Sequence, residues 1–495
     1  LKSLSPSAIP AEAAKETKAT NLHQYNPIII DMKNTIFTTI SFFCLLVTTA
    51  QPIVKSTAAI PVRYDAITVL YGTKSFKTGG GVTKQNGDFL KFKDAATVEW
   101  KVNVSTAGTY EINFVYGASG ASPVELIAGK TSTTCNLRAT NGAFGVGTYE
   151  RVKQKELLNL PVGEQSITLK SGTLADKRTF NFRSLELLPV AARQAIKADS
   201  TAAIKARANS KWLSNAGYGV MFHWTSLNIG KDGTHKPFDQ AVADFDLASF
   251  VSMVEATGAG YVIFTIGHAE AFCPAPIASW EKYHPGHTTK RDLIAEMADA
   301  LAAENIKLIC YLPTHIVAKY RKVPEKEFTQ INKDILTEMG NRYKTKVAGY
   351  WFDGWYQCYE EYPGFSFSDF FKTCKVGNPD RIVALNSWIY PPVSLWQEYW
   401  AGETASPVEL PAGGMLQGGP APGLRYQALL IMEPYWVQEK VEMPDPRFDA
   451  ATLASYIKQC KDNGGSVTIN LGIYQDGSIG EKALEVMKAV RSLIR

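Results

Sequence analysis

The sequence predicts an α/β protein, a (β/α)8 TIM-like barrel preceded by an antiparallel β-sandwich domain. Three observations carry this. From about Tyr64 to Leu188, apolar and polar residues alternate at period two between turns rich in Gly, Asn, Thr and Ser. After Gly217, apolar runs without alternation each lead into a segment of helical periodicity. This second region, 217–495, has room for up to eight such units. Alternation places one strand face in a core and the other in water, as in antiparallel sandwiches. Uniformly apolar strands are buried on both faces, which requires a parallel sheet clothed in helices, and the length favours a closed barrel over an open sheet.

The elements follow in order. Residues 1–31 read as an upstream extension ahead of the true start. Residues 32–50 read as a secretory signal peptide: Met32-Lys33, an apolar run to Val47, then small residues up to Ala50. Such a run is too short to span a bilayer. Cys44 lacks the small residues that precede a lipidated cysteine, so a secreted or periplasmic protein without a membrane anchor is expected. The sandwich, 60–189, is carried by VEWKVNV, TYEINFVYG, SITLKSG and FRSLELL; TGGGV at 78–82, with no helix after it, reads as a turn and not a phosphate loop. Residues 190–216, rich in Ala, Lys and Arg without Pro or Gly, read as a helical linker.

The barrel, 217–495, opens with the strand GYGVMFHW. The helix DLASFVSMVEATGAG closes on Gly and leads to YVIFTIGH; RDLIAEMADALAAENI leads to KLICYLPTH, and EFTQINKDILTEMGNRY to VAGYWFDG. FSDFFKTCKVGNP leads to RIVALNSW, and after a Pro/Gly-rich stretch come LRYQALLIMEPYW, ATLASYIKQCKDNGG, SVTINLG and a last helix from Glu481.

Composition excludes several classes. A net charge of +5 over 495 residues gives no footprint for nucleic acid. Six cysteines remain beyond the signal segment (Cys135, Cys273, Cys310, Cys358, Cys374, Cys460) and none forms a CxxC, so zinc-ribbon and dithiol redox motifs are absent. An aromatic content of 11% suits either a sugar-handling surface or a large core. No GxSxG elbow is present.

In a barrel of this kind, chemistry sits where the strands end. The apolar runs end in His223-Trp224, in His268 with Glu270 just beyond, in His315, in Asp353, in Asn386 with Trp388, and in Asn470. The three histidines lack HxH or HExxH spacing, so no metal is assigned and no cofactor is expected. Carboxylates among Trp and His suit a glycan: apolar sugar faces stack on aromatics, hydroxyls pair with His and Asn, and hydrolysis needs two acidic groups. Asp353 precedes Gly354, and Asp-Gly is also a common turn pair. Trp351 alternates with Phe352, so one of the two points into the helix layer.

Two resemblances add to this reading. The order AGTYEINFVYG, LPVGEQSITLKSG, NFRSLELLPV resembles carbohydrate-binding β-sandwich modules of the family 6 and 35 types. Those modules often carry an Asp before the final strand; this chain has Arg183, so no ligand residue is carried over. The barrel resembles glycoside hydrolase family 29, the α-L-fucosidases. GYGVMFHW is similar to the family's FGxFxHWG, GAGYVIFTIGHAEAFC to AKYVVLTxKHHDGFC, GYWFDG to xxWFDG, and KDNGGSVTINLGIYQDGSIG to SKGGNxLLNIGPxxDGxI.

The resemblance implies a retaining hydrolase cleaving α-L-fucosidic or related L-sugar linkages, with Asp353 as nucleophile. His223 and His268 become hydroxyl ligands, Trp224, Trp351 and Trp355 a stacking wall, and Glu270 and Asn386 supporting residues. The chain departs from the pattern at Thr225, at Ala269 where the family has a second His, and at GETASPV, which puts Glu403 in place of an Asp. The late WExC motif, whose Glu is the acid/base in many members, falls on Tyr426-Gln427. The acid/base is then Glu403 or Glu433, with Glu398, Glu360 and Glu361 behind them. Gln427 also leaves open a carbohydrate-binding protein with a decayed barrel, and the departures leave open a hydrolase for a different sugar.

Overall fold

The computed structural model describes residues 58–494 except 86–88, 141–148, 173–179, 269, 314–322, 356–361, 363, 389, 393, 406 and 408–422. The expected signal segment, His315, Cys358, Glu360 and Glu361 lie outside the described residues.

Among the described residues, ten strands build the N-terminal β-domain: β1 (Ile60–Val62), β2 (Thr68–Tyr71), β3 (Lys77–Gln85), β4 (Phe89–Val104), β5 (Gly108–Ala118), β6 (Ser122–Ala128), β7 (Thr131–Leu137), β8 (Glu150–Leu160), β9 (Gly163–Ser171) and β10 (Phe180–Pro189). They form one ladder in the order β7-β6-β9-β4-β10-β5-β8, with β1, β2 and β3 attached at its sides. Every pairing is antiparallel except β1 with β4. The ladder wraps one apolar core in which Trp100, Phe114, Tyr116 and Phe182 are fully buried. The inward residues of β4 (Val98, Trp100, Val102, Val104) recur at every second position, which is the period that the sequence shows. The TGGGV segment is a correction to the expected turn: it lies inside β3, where the register shifts between Gly80 and Val82. Gly80 sits at φ +73, and a Cβ there would lie 2.0 Å from the Ala95 carbonyl, so the bulge requires glycine.

Residues 190–216 hold a short 3-10 turn and two helices, Arg193–Ala206 and Lys211–Ala216, separated by a break at 207–210. Among the described residues, eight strands follow: β11 (Tyr218–Phe222), β12 (Tyr261–Thr265), β13 (Lys307–Pro313), β14 (Val347–Asp353), β15 (Ile382–Leu385), β16 (Glu403–Ala405), β17 (Gln427–Ile431) and β18 (Ser466–Asn470). All pair in parallel, in the order β15-β14-β13-β12-β11-β18-β17-β16. Helices are described between each pair of successive strands from β11 to β15 and between β17 and β18; Leu247–Thr257, for example, starts on an Asp246 cap that accepts from Ser249 N–H and stops at Gly258, φ +77.

Strand parity divides the apolar residues into two cores. Met221, Ile263, Ile309, Tyr311, Trp351 and Leu429 fill the inside of the curled sheet. Phe222, Phe264, Leu312, Phe352, Leu430 and Ile469 face the helices. Arg381, wholly buried at the foot of the sheet, donates to the carbonyls of Lys344, Val347, Cys374 and Val376.

The two end strands, β15 and β16, form no ladder with each other among the described residues. Side chains span that seam instead. Glu398 Oε2 accepts Val383 N–H at 2.7 Å, Gln397 Oε1 accepts Leu385 N–H at 3.1 Å, and Asn386 donates to Glu403 at 2.7 Å. Cys135, Cys273, Cys310, Cys374 and Cys460 are buried free thiols. Among the described residues no helix is long and apolar enough to cross a membrane.

Candidate active site

The site grows out of one strand. On β14, Trp351 belongs to the inner core while Tyr350 and Phe352 face the helices. Phe352 is therefore the member of the Trp351–Phe352 pair that points into the helix layer. Asp353 shares Trp351's parity and stands one step above it, at the strand's C-terminal end. The neighbouring strand is in register, Tyr311 beside Trp351 and Pro313 beside Asp353. Tyr311 Oη donates to Asp353 Oδ2 at 2.7 Å.

Asn386, wholly buried just past β15, approaches from the other side. Its Nδ2 donates to Asp353 Oδ1 and to Glu403 Oε2, both at 2.7 Å. Those two oxygens can therefore be no further apart than twice that length. The Asn386 side-chain carbonyl accepts Trp388 N–H at 2.9 Å, so the amide is satisfied on both ends. Trp388 sits at φ +51, a conformation that costs a bulky residue about 1–3 kcal/mol and persists only where its surroundings hold it.

Glu403 is partly buried. Burial and the adjacent Asp353 push its carboxyl up to about 8, against the opposing donation from Asn386. Glu403, bridged to Asp353 by one amide, thus holds a proton at neutral pH.

The imidazoles line another part of the same face. His223, one residue beyond β11, pairs through Nδ1 with Asn470 Oδ1 at 2.8 Å. Burial, then the neighbouring His268, push it down to about 4, so the ring is neutral near pH 7. Its ring lies 4.7 Å from Trp436, 5.1 Å from Tyr311 and 6.2 Å from His268. His268 stacks over Tyr311, which stacks over Trp351 at 5.2 Å, so an aromatic column steps across β12, β13 and β14. Glu270 stands 3.8 Å from His268 Nδ1. Among the described residues no three metal-ligating side chains converge.

Other residues singled out from the sequence lie elsewhere. Trp355 is buried among Phe365, Phe367 and Phe370, and Trp224 among Phe238, Phe245 and Phe264, both in the helix layer. They are core residues in place of the expected stacking wall, because they occupy outward-facing positions. Trp351 is on the inner face but 2% exposed, a floor under Asp353. Glu433 is buried, accepts Gly472 N–H at 2.8 Å, and borders a separate cavity of about 350 Å³ with Lys231, Met443, Tyr474 and Lys482. None of Asp353, Glu403, Asn386, His223 or His268 lines that cavity. Glu398 is tied into the seam by Lys375 and by the Ala208 and Val383 amides. Gln427 opens β17, level with Ser466 at the foot of the sheet, and donates to Thr468 at 2.9 Å.

Sequence reading missed Tyr311 and Trp436. Tyr311 had a usable signal: it shares the parity of Pro313, the residue in register with Asp353. Trp436 lies in a loop, where no periodicity announces which way a side chain turns.

The family model described as alpha-L-fucosidase matches residues 234–494, more than half of the chain. The chain belongs to the alpha-L-fucosidase family. It is accordingly a fucosidase-like glycoside hydrolase, which implies a glycan substrate. A Bacteroides thetaiotaomicron alpha-L-fucosidase trapped as a covalent intermediate aligns at 19% identity over 58% of this chain and 76% of its own, with a TM-score of 0.45. The alpha-L-fucosidase AlfC from Lactobacillus casei, in complex with alpha-L-fucose product, aligns at 17% identity over 58% of this chain and 98% of its own, with a TM-score of 0.41. No curated protein matches the chain.

Proposed function

We propose that this member of the fucosidase family cleaves α-L-fucosidic or closely related L-sugar linkages of a glycan with retention of configuration. The observation that carries the reading is the shared Asn386 Nδ2, 2.7 Å from a carboxyl oxygen of Asp353 and 2.7 Å from one of Glu403. Retaining enzymes keep their two carboxyl groups about 5–5.5 Å apart, whereas inverting enzymes leave about 6.5–9.5 Å for a water. The bridge supports the shorter spacing.

Asp353 attacks the anomeric carbon while the Glu403 proton passes to the glycosidic oxygen, so the C–O bond breaks as a glycosyl–Asp353 ester forms. Glu403, now a carboxylate, takes a proton from water; the resulting hydroxide displaces Asp353 and restores both groups. Tyr311 holds the Asp353 oxygen that does not meet Asn386. The neutral His223 and the partly exposed His268 supply hydroxyl partners. The eight-stranded sheet is read as a (β/α)8 barrel whose seam is closed by side chains, and the Met32–Ala50 segment as an export signal.

The reading is tested by hydrolysis of aryl α-L-fucosides with the product anomer followed by NMR. Initial release of the α-anomer that disappears in Asp353→Ala, with azide restoring a glycosyl product to Glu403→Ala, is the expected result. Initial β-anomer, or turnover that survives Asp353→Ala, would overturn it.

A further inference from the structure

The β-domain is joined to the catalytic centre through the turn that follows Asn386. Ser387 Oγ donates to the Tyr390 carbonyl at 2.9 Å, and Tyr390 N–H donates to the Ser387 carbonyl at 3.0 Å, closing the turn on itself. Tyr390 is buried, and besides Trp388 of its own turn the side chains that cover it come from the β-domain. The Arg183 guanidinium lies 4.2 Å from the centre of its ring, and Tyr149 meets it edge-on at 4.7 Å. Val115 belongs to the same buried cluster, with Phe89 and Trp388 packed against it. Arg183 is itself 4% exposed, stands at an irregularity in β10 between Phe182 and Ser184, and leans also on Tyr71.

These contacts explain a strained backbone. Trp388, at φ +51, lies within the turn, and its N–H holds the side-chain carbonyl of Asn386. A bulky residue stays in that conformation only when packing over-determines it. The grip on Tyr390 from the β-domain provides that packing, and the strained Trp388 amide fixes the rotation of the Asn386 amide plane. That rotation decides whether both Nδ2 hydrogens point at the two carboxyl groups.

We propose that the β-domain is a positioning part of the active site: Arg183 and Tyr149 grip Tyr390, and the turn so held aims Asn386 between Asp353 and Glu403. This rests on the reading of Asp353 and Glu403 as the reacting pair. Asp353 faces Glu403 from β14 and is approached in turn by Tyr311 from β13 and His223 from β11; Asn386 is the donor that stabilises the ionised form of Glu403. Loosening the turn removes that donor, so the proton of Glu403 is held to higher pH.

The test uses the full chain with Arg183→Leu, Tyr149→Leu and Tyr390→Leu, and the conservative Arg183→Lys and Tyr390→Phe. For the leucine variants, kcat on an aryl α-L-fucoside should fall by about tenfold or more and the alkaline limb of the pH–rate profile should move up by roughly half a unit or more. The conservative variants should restore both. A lowered Tm with the alkaline limb unmoved would overturn the inference and leave the β-domain a brace. The same shift is readable without turnover, from the 13C titration of the Glu403 carboxyl assigned with Glu403→Gln. If the wild type leaves aryl fucosides intact, the functional reading fails, while an upward shift of that titration in the leucine variants still upholds the positioning role, and its absence defeats it.

Discussion

Glu398 and Glu403 stand close together in sequence at the seam of the parallel sheet, and burial pushes the carboxyl of both above its ordinary value, yet the lower and upper ends of that seam give them different partners. Glu398 is met by the Lys375 ammonium and by the Ala208 and Val383 amides, every one of them favouring a carboxylate. Glu403 is met by one amide hydrogen and by a second acidic side chain. Burial is common to both, so it does not separate a structural glutamate from a reactive one. The separating quantity is the number of donors that converge on the oxygens, since each favours the charged form and a neighbouring acid opposes it.

The contrast can be broken from either end. The largest effect is expected at the acid that Asn386 bridges to Glu403: Asp353→Asn should lower kcat/KM on aryl fucosides by at least about 10³-fold with little change in Tm. Next comes Glu403→Gln, which should cost about 10²–10⁴-fold on substrates with poor leaving groups and remove the alkaline limb expected for the wild type near pH 8. Glu398→Gln should do the reverse. It takes the carboxylate from the half-buried Lys375, which keeps the Arg381 carbonyl, so unfolding in denaturant should reveal a loss of about 1–3 kcal/mol, while the pH–rate profile of the remaining folded enzyme stays in place.

A subtler difference lies in pH-dependent stability. The folded carboxyl of Glu403 is raised from 4.5 to about 8, so its protonated form is favoured by folding. Stability from this group is whole below about 4.5 and is lost as pH rises to about 8. Glu433, raised to about 7 by burial, adds a loss of the same sign. Wild-type Tm should therefore decline across that window, and Glu403→Gln should flatten the decline. The smallest effect belongs to Gln427→Leu: one hydrogen bond to Thr468 is lost, about 1 kcal/mol, with activity within about twofold of wild type. A collapse of activity there would revive the view that this position matters to the chemistry.

That last position shows where sequence reading stops. Matching a motif to Tyr426-Gln427 locates it along the chain but not its height on the strand, and height decides whether a side chain reaches the mouth. Gln427 begins β17, and Asp353 ends β14. Uniformly apolar runs gave away the parallel strands, because burial on both faces leaves no other composition. Asp353 and His223 were legible as the polar residues that end such runs. Trp224 and Trp355 misled because an aromatic beside a strand end is as useful to the helix layer as to a sugar. The Asn386 bridge was beyond reach, since it depends on how a turn is braced by strands more than two hundred residues earlier, a coupling that no local pattern records.

The buried thiols give the molecule its own reporters. Cys135 lies in the β-domain, Cys273, Cys310 and Cys374 in the layer between sheet and helices, and Cys460 on the buried side of the helix Ala450–Asp462. A thiol sealed from solvent is alkylated only during the moments when its surroundings open, so labelling rates measure local opening directly. Mass spectrometry of time-resolved labelling would then show whether Cys135 becomes accessible together with the thiols of the parallel-sheet region or ahead of them. The chain carries, without any added probe, a clock for each of its two halves.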